Sequence, residues 1–288
     1  MIRLFVENAL VVGAAALMLF FGISVLLARW AVRPVETALT QQRLFVEDAS
    51  HELRTPLTII MSNADMLLAH PGADTGRLRK WTGSIKSESL RMRGLVDEML
   101  SLARADAGLP KKGLSDVNLS AVATDCALEL EATVYESGKT LTTAIEDGVL
   151  VSGQAGQLRR LVDNLLINAV KYGDERGLIE LTLCTRKKRA RLVVSNTGKP
   201  IEKAELVRIF ERFRRLDEAR ESGGGYGLGL AIAKGVAVSH SGSIRAESEG
   251  GWNRFIVELP LSRARRFSFL KGKHGSVTNT NETGRNTE

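Results

Sequence analysis

The chain is poor in cysteine, with only Cys126 and Cys184 among its 288 residues. Neither cysteine stands at a metal-ligand spacing from other ligands, which excludes a zinc-finger type of site, and two thiols do not make a disulfide scaffold. We therefore expect two reduced, structural thiols in a reducing compartment.

The positive charge is unevenly placed. The formal net charge is +7, but six basic and two acidic residues lie from Ser262 onward and carry +4 of it. That segment also has few apolar residues to bury, so we expect residues 262–288 to be a disordered basic tail. Because more than half of the excess positive charge lies in this terminal segment, the net charge argues against direct nucleic-acid binding.

One long apolar run stands near the amino terminus. Twenty residues without a charge, Ala9 to Ala28, predict a single transmembrane helix, because they match a hydrocarbon core of roughly 30 Å. Arg29, Arg33 and Arg43 follow it, which predicts that the C-terminal domains lie in the cytoplasm. A cleaved signal peptide is the alternative, although its apolar run is usually shorter.

Residues 1–8 leave no room for an extracellular sensing domain. Either the chain is the C-terminal part of a longer protein, or it senses through its single helix or a partner.

A group of polar residues stands before Pro56 on a predicted helix. The segment Ala49 to Thr58 reads ASHELRTPLT, which places His51 and Thr55 on one face with Glu52 beside the histidine. Pro56 cannot bond the carbonyl of Glu52, so the helix should loosen there. An imidazole beside a carboxylate is suited to act as a nucleophile, because the carboxylate can accept the proton of one ring nitrogen while the other attacks.

The surrounding pattern predicts a helical hairpin over residues 41–107. A first helix should end near Ala69, with residues 70–74 as the turn and Asp74 as the N-cap of the second helix. One hairpin cannot enclose a core, so two should pair as a four-helix bundle in a homodimer. Residues 29–40 read as a juxtamembrane linker and residues 108–115 as an interdomain linker.

Residues 116–261 predict a mixed α/β domain. Leu178–Cys184 and Ala190–Ser195 are strand-like, with residues 187–189 as the turn between them. Phe255–Leu259 should be the last strand, and residues 158–172 and 229–239 should be helical.

Two polar motifs mark this domain. In NLLINAVKY, Asn164, Asn168 and Lys171 share one helix face, and buried-side amides are costly unless a ligand binds them. In GGGYGLGLAIAK, from Gly223 to Lys234, glycines run into a helix start, where backbone N–H groups can bind phosphate.

The three motifs, in this order and at these separations, resemble the H, N and G2 boxes of the sensor histidine kinases of two-component signalling. The resemblance covers about residues 33–261. It implies a protein-histidine kinase with a dimeric four-helix bundle and an α/β sandwich that binds ATP and Mg²⁺. It also implies transfer of the phosphoryl group to an aspartate of a cytoplasmic response regulator. Family members commonly have two membrane helices, whereas the one apolar run here predicts a single pass through the inner membrane.

The resemblance assigns a role to each motif residue. In the H box, His51 is the phosphoacceptor, Glu52 the general base and Thr55 the residue that positions water for dephosphorylating the regulator. In the N box, Asn168 binds Mg²⁺, Lys171 contacts phosphate, Asn164 supports the site and Tyr172 lies against the nucleotide. Arg215, with Arg212 of the F box, stabilises the transferred phosphate. Residues 214–226 form a lid that includes part of the G2 box. The nucleotide-binding residues of the G2 box are Gly225, Gly227, Leu228 and Gly229.

The G1 segment departs from the family. The usual acidic residue that accepts the adenine amino group is replaced by Asn196; Gly198 is retained, but the second glycine is Pro200. A neutral hydrogen bond in place of a charge-assisted one should cost on the order of 1 kcal/mol and soften the selectivity for adenine.

Two alternatives follow. The chain could be an ATPase of the same superfamily, but Asn164 stands where such enzymes have a glutamate that activates water. It could instead be a membrane-anchored signalling scaffold that binds nucleotide poorly and acts mainly as a regulator phosphatase, which Asn196 and Pro200 would favour.

Overall fold

The computed structural model describes residues 2–108, 114–215 and 225–262. The chain divides into two compact units, residues 1–89 and 90–288. Most of the predicted linker at 108–115, most of the predicted lid at 214–226 and all but the first residue of the predicted tail at 262–288 lie outside the described residues. Ser262 itself is buried and its amide donates to the carbonyl of Leu150 at 2.9 Å, so this residue belongs to the α/β domain.

The predicted helical hairpin is confirmed. Helix α1 spans Ile2–Ala69 and helix α2 spans Thr75–Asp106, and α1 continues without interruption through Pro56 and through the predicted linker at 29–40. The predicted N-cap is also present, because Asp74 Oδ1 accepts the Arg77 amide at 3.0 Å. This backbone hydrogen bond, with the Arg77 guanidinium, lowers the pKa of Asp74.

The predicted membrane-spanning segment at 9–28 is not confirmed. These residues fall within α1, and within the part of the chain that the structure describes no helix is long and apolar enough to cross a membrane.

The second unit contains a mixed five-stranded sheet in the order β2-β4-β5-β7-β6. Strands β2 and β4 are parallel and the other neighbours are antiparallel, while β1 and β3 form a separate antiparallel pair. The strands are β1 (Ser115–Asn118), β2 (Thr140–Ile145), β3 (Leu150–Gly153), β4 (Leu178–Arg186), β5 (Arg189–Thr197), β6 (Ser243–Glu249) and β7 (Trp252–Pro260).

The turn between β4 and β5 forms where the sequence predicted it. Lys187 and Lys188 occupy it with φ of 48° and 64°, the left-handed pair that a two-residue hairpin requires.

Among the described residues, four helices complete this unit besides the end of α2. They are α3 (Leu119–Glu136), α4 (Ala155–Tyr172), α5 (Glu205–Arg208) and α6 (Gly229–Ser239). Helices α3, α4 and α6 bring apolar side chains to the core, where alternate residues of β4, β5 and β7 are buried. The core thus lies between the sheet and these helices, as the predicted α/β sandwich requires.

His240 is the C-cap of α6, and its imidazole is buried with 4% exposure. Nδ1 lies 2.8 Å from the carbonyl of Val236, and Nε2 accepts the Gln154 amide at 3.2 Å. The ring is therefore neutral with its proton on Nδ1. Gly153 is required beside it, because a Cβ there would lie 2.3 Å from the ring.

The burial of His240 predicts acid sensitivity of this domain. Burial lowers the pKa of His240 in the folded protein below 6.5, so the unfolded chain binds the proton more readily. The stabilisation is fully present above about pH 6.5 and is lost as the pH falls. In urea titrations at pH 8, 7, 6 and 5, the His240→Gln variant should lose less unfolding free energy between pH 7 and pH 5 than the wild type. Equal losses would contradict this account.

Candidate functional site

A cavity of about 540 Å³ opens in the second unit, beside α4 and the start of α6. Its volume and its mixture of apolar and polar walls suit a small organic ligand with several polar groups. Its walls include Glu98, Asn164, Ile167, Asn168, Lys171, Tyr172, Asn196, Ile201, Ile209, Arg214, Arg215, Gly225, Tyr226, Gly227, Gly229, Asn253 and Phe255.

Helix α4 places three of the predicted polar residues in one wall. Asn164, Asn168 and Lys171 all line the cavity, while Leu161 and Leu165, on another face of the helix, are fully buried. The Nδ2 of Asn164 is buried and has no hydrogen-bond partner among the residues that the structure describes. A buried, unsatisfied donor is costly, so this atom is a place where a bound polar group would recover free energy.

Lys171 and Tyr172 are held close to each other at the end of α4. The Lys171 ammonium lies 5.2 Å from the centroid of the Tyr172 ring. Burial and the neighbouring Arg215 lower the pKa of Lys171, while Glu98 raises it. A wall that concentrates cationic groups in a half-buried place favours an anionic ligand.

Asn196 lies at the end of β5 and is 1% exposed. Its Nδ2 donates to the carbonyl of Thr197 at 3.0 Å, which fixes the orientation of the amide from the hydrogen-bond network. The donor is therefore used within the protein, and Oδ1 is left as the group that can accept from a ligand. The sequence suggested that this amide could also present a donor, and the hydrogen bond to Thr197 disfavours that orientation.

The segment after Asn196 is fixed on both sides of Pro200 by two residues that the sequence did not single out. Asn253 Nδ2 donates to the carbonyl of Lys199 at 2.9 Å, and Ser248 Oγ accepts the Ile201 amide at 2.9 Å. The Ser248 hydroxyl in turn donates to Asn253 Oδ1 at 2.7 Å. These side chains hold a loop in which proline replaces the family's glycine.

Two glycines beside the cavity need their left-handed backbone. Gly225 has φ of 58° and Gly227 has φ of 73°, and a Cβ at Gly225 would lie 2.7 Å from the Lys171 Nζ. Gly229 begins α6 and lines the cavity, whereas the side chain of Leu228 is fully buried beneath it. Gly198 does not line the cavity, but it allows close approach, since a Cβ there would lie 2.9 Å from the Tyr172 carbonyl.

The three neighbouring arginines have different surroundings. Arg215 lines the cavity, as predicted, whereas Arg212 lies outside its walls and pairs with Asp106 at 2.7 Å. Arg214 was not predicted, yet it lines the cavity and its guanidinium pairs with Glu205 at 2.7 Å. This hydrogen bond lowers the pKa of Glu205.

Glu98 is one of three acidic residues in the cavity wall, with Asp174 and Glu175, and it was not expected from the sequence. It lies on α2, and its carboxylate is half-buried. Burial raises its pKa, while the charges of Arg160 and Lys171 lower it. Helical periodicity placed this residue on α2 but could not show which domain the end of α2 packs against.

The predicted phosphoacceptor motif lies in the first unit. His51 and Thr55 are exposed on α1, and Glu52 is half-buried. Asp48 lies one turn earlier and interacts electrostatically with the imidazole of His51. Burial and Glu47 raise the pKa of Asp48, while His51 lowers the pKa of Asp48. The roles of these residues stay predictions.

Sequence comparisons assign families to both domains. Residues 41–108 match the His Kinase A (phospho-acceptor) domain, and residues 153–263 match the family of histidine kinase-, DNA gyrase B- and HSP90-like ATPases. The chain is 34% identical over 244 residues to the sensor protein DltS of Streptococcus agalactiae, covering 84% of this chain and 60% of DltS. It is 32% identical over 232 residues to the sensor histidine kinase CusS of Escherichia coli, covering 80% of this chain and 48% of CusS.

Solved structures agree with this assignment. Full-length ShkA in complex with AMPPNP aligns with a TM-score of 0.56 at 26% identity, covering 77% of this chain and 46% of ShkA. The histidine kinase ThkA, solved with the response regulator protein TrrA, shares the fold with a TM-score of 0.62 at 24% identity, covering 82% of this chain and 66% of ThkA. With both domain families present in their expected order, the chain belongs to the sensor histidine kinases of two-component signalling.

Proposed function

We propose that this chain is an ATP-dependent protein-histidine kinase that phosphorylates His51 and passes the phosphoryl group to a response regulator. The observation that carries the proposal is the polar stripe of α4 in the cavity wall. Asn164, Asn168 and Lys171 stand together there beside the glycine-rich loop. The buried Nδ2 of Asn164 has no hydrogen-bond partner within the described part of the chain. The same chain presents an exposed histidine next to a carboxylate.

The cavity fits ATP at both ends. Asn196 offers an acceptor for the adenine amino group, with Ile201 and Phe255 among the apolar residues in the wall. Lys171, Arg215 and the backbone around Gly225 and Gly227 offer positive charge and N–H groups for phosphate. ShkA, a relative of this chain, was solved with the ATP analogue AMPPNP.

Magnesium would enter with the nucleotide. Among the described residues no group of three or more His, Cys, Asp or Glu side chains could hold a metal ion. One amide oxygen, from Asn168, is what we propose the protein contributes, which suits an ion that keeps several waters and is bound mainly by phosphate oxygens. When bound, Mg²⁺ would neutralise charge on the transferring group.

The chemistry at His51 is a phosphoryl transfer. One ring nitrogen attacks the γ-phosphorus, a nitrogen–phosphorus bond forms, and the bond to the β–γ bridging oxygen breaks to release ADP. Glu52 accepts the proton from the other ring nitrogen, and Arg215, with Arg212 as a second candidate, offsets charge on the transferred group.

The phosphoryl group then passes to a carboxylate oxygen of a regulator aspartate, which regenerates His51. The relative ThkA was solved with a response regulator protein, which supports this class of partner. We propose a homodimer as the working form, because the hairpin alone leaves Leu57, Met61 and Leu68 of α1 exposed. Thr55, one turn after His51, would position water for dephosphorylating the regulator.

The alternatives carry less support. An ATPase of the same superfamily would need an acidic residue at position 164, where the cavity has Asn164 instead. The scaffold alternative rested on Asn196 and Pro200, but Asn196 keeps an acceptor and the Asn253–Ser248 pair fixes the loop around Pro200.

The kinase proposal predicts acid-labile, base-stable label on the full-length chain after incubation with γ-labelled ATP and Mg²⁺. The His51→Gln variant should lose all label, and Asn168→Ala should reduce labelling at least tenfold. His70→Gln is the matched control, since His70 is also exposed at the end of the same helix. If the label persists in His51→Gln, the phosphoacceptor assignment is wrong.

With phosphorylated regulator added, Thr55→Ala should slow the loss of regulator label.

The Asn196 assignment predicts purine selectivity through a single acceptor. ATP should bind more tightly than inosine triphosphate, which lacks the amino group that donates to Oδ1. In Asn196→Leu the ATP affinity should fall about fivefold to thirtyfold, since a neutral hydrogen bond contributes about 1–2 kcal/mol. The preference for ATP over inosine triphosphate should also vanish. Calorimetric titration of both nucleotides measures the ratio, and an unchanged ratio would exclude Asn196 from base recognition.

We also propose that residues 9–28 anchor the chain in the inner membrane in a single pass, in contact with lipid and with both later domains in the cytoplasm. The support comes from the sequence: twenty uncharged residues followed by arginines. The full-length chain expressed in bacteria should stay in the membrane fraction after washing with alkaline carbonate, and replacing Leu17 and Leu19 by Arg should release it. Recovery of the unaltered chain in the supernatant would oppose the anchor.

A further inference from the structure

The last four turns of α2 pack on the α/β domain and belong to the same compact unit, which begins at Leu90. Leu95 and Leu102 are buried, with exposures of 0% and 2%. Gly235 of α6 lies directly against Ala105, so closely that a Cβ at Gly235 would be 2.9 Å from the Ala105 Cβ. This end of α2 therefore packs closely against α6, the helix that begins with the glycine-rich motif.

Polar contacts hold the same segment along its length. The Tyr226 hydroxyl donates to the carbonyl of Arg91 at 2.6 Å, and the Arg160 guanidinium donates to the carbonyl of Asp97 at 3.2 Å. Because Tyr226 stands between Gly225 and Gly227 in the cavity wall, the loop assigned to phosphate also holds α2.

Within this segment, Glu98 brings a carboxylate to the cavity wall that holds Lys171 and Asn168. Among the described residues it forms no hydrogen bond and no ion pair, and its charge is balanced at a distance by Arg160 and Lys171. Burying part of a carboxylate without a direct partner is unfavourable, so the position of Glu98 is not explained by its contribution to stability. In the proposed function the same Lys171 binds phosphate.

We propose that Glu98 takes the place of phosphate charge near Lys171 when no nucleotide is bound, so that binding of a nucleoside triphosphate and docking of the end of α2 oppose each other. A negatively charged phosphate group entering beside Lys171 is repelled by Glu98, and the repulsion grows with the number of phosphates. Binding of ATP then loosens residues 91–106 from the α/β domain, and by reciprocity the docked helix weakens ATP binding. This inference rests on the proposed nucleotide site and names what regulates it.

The test measures affinity against phosphate charge. The full-length chain in mild detergent is titrated by calorimetry with AMP and with the non-hydrolysable triphosphate AMPPNP, each with Mg²⁺. Glu98→Gln should bind AMPPNP about fivefold to tenfold more tightly than the wild type, and AMP less than twofold more tightly. Asp97→Asn is the matched control: it removes the same charge one residue away from an exposed side chain and should change neither constant.

Hydrogen exchange tests the coupling to α2. In the wild type, AMPPNP should speed amide exchange across residues 91–106, and AMP should not. Tyr226→Phe, which removes the hydroxyl bond to Arg91, should speed this exchange without nucleotide, whereas Tyr135→Phe, at a tyrosine that is 82% exposed on α3, should not.

The outcomes separate the two proposals. Weaker AMPPNP binding by Glu98→Gln would mean that the carboxylate helps hold the ligand or its metal, which overturns the inference. Equal gains for AMP and AMPPNP, or AMPPNP-independent exchange in residues 91–106, would also overturn it while the nucleotide site stands. If the wild type binds neither nucleotide, the proposed function falls and the inference falls with it.

Discussion

The rotation of α4 about its own axis is the constraint on which the rest of the site depends. Six apolar side chains of this helix are buried, and five of them have no exposed surface at all. Four of these five are large: Leu158, Leu161, Val162 and Leu165. Rotating the helix to hide its polar stripe would expose these side chains, at a cost of roughly 1.5–3 kcal/mol for each one. The core thus fixes Asn164, Asn168 and Lys171 in the cavity wall, where the buried Asn164 Nδ2 meets no acceptor among the described residues.

A second consequence concerns the neighbouring elements. Once α4 is fixed, the strand end at Asn196 and the start of α6 face the same cavity, because β5 and α6 pack on either side of the same core. The departure from the family at Pro200 is accommodated by side chains of β6 and β7, which supply Ser248 and Asn253. The proposed nucleotide site is therefore supported by hydrogen bonds from these two side chains.

The cavity wall includes residues of both the α/β domain and the helical hairpin. The end of α2 belongs by sequence to the helical hairpin and by packing to the α/β domain. Its Glu98 stands near the lysine that we assign to phosphate, so the state of the nucleotide site and the state of this helix are electrostatically coupled. This coupling needs no chain of contacts between the two groups, since the charges of Glu98 and Lys171 act on each other through space in a half-buried region of low dielectric.

Periodicity and motif spacing predicted the hairpin, the strands β4, β5 and β7, the helices α4 and α6, and the residues of α4 that line the cavity. They succeeded because helical and strand periods are local properties, and a motif such as Asn164–Asn168–Lys171 lies within one element. Glu98, Arg214 and the Asn253–Ser248 pair were not predicted, and neither was the burial of His240. Each of these residues acquires its environment from an element distant in the chain. The sequence alone determined these elements, the resemblance to the family and the residues able to do the chemistry. The tertiary structure alone decided which charges share the cavity, because an electrostatic interaction depends on distance in space and not on separation along the chain.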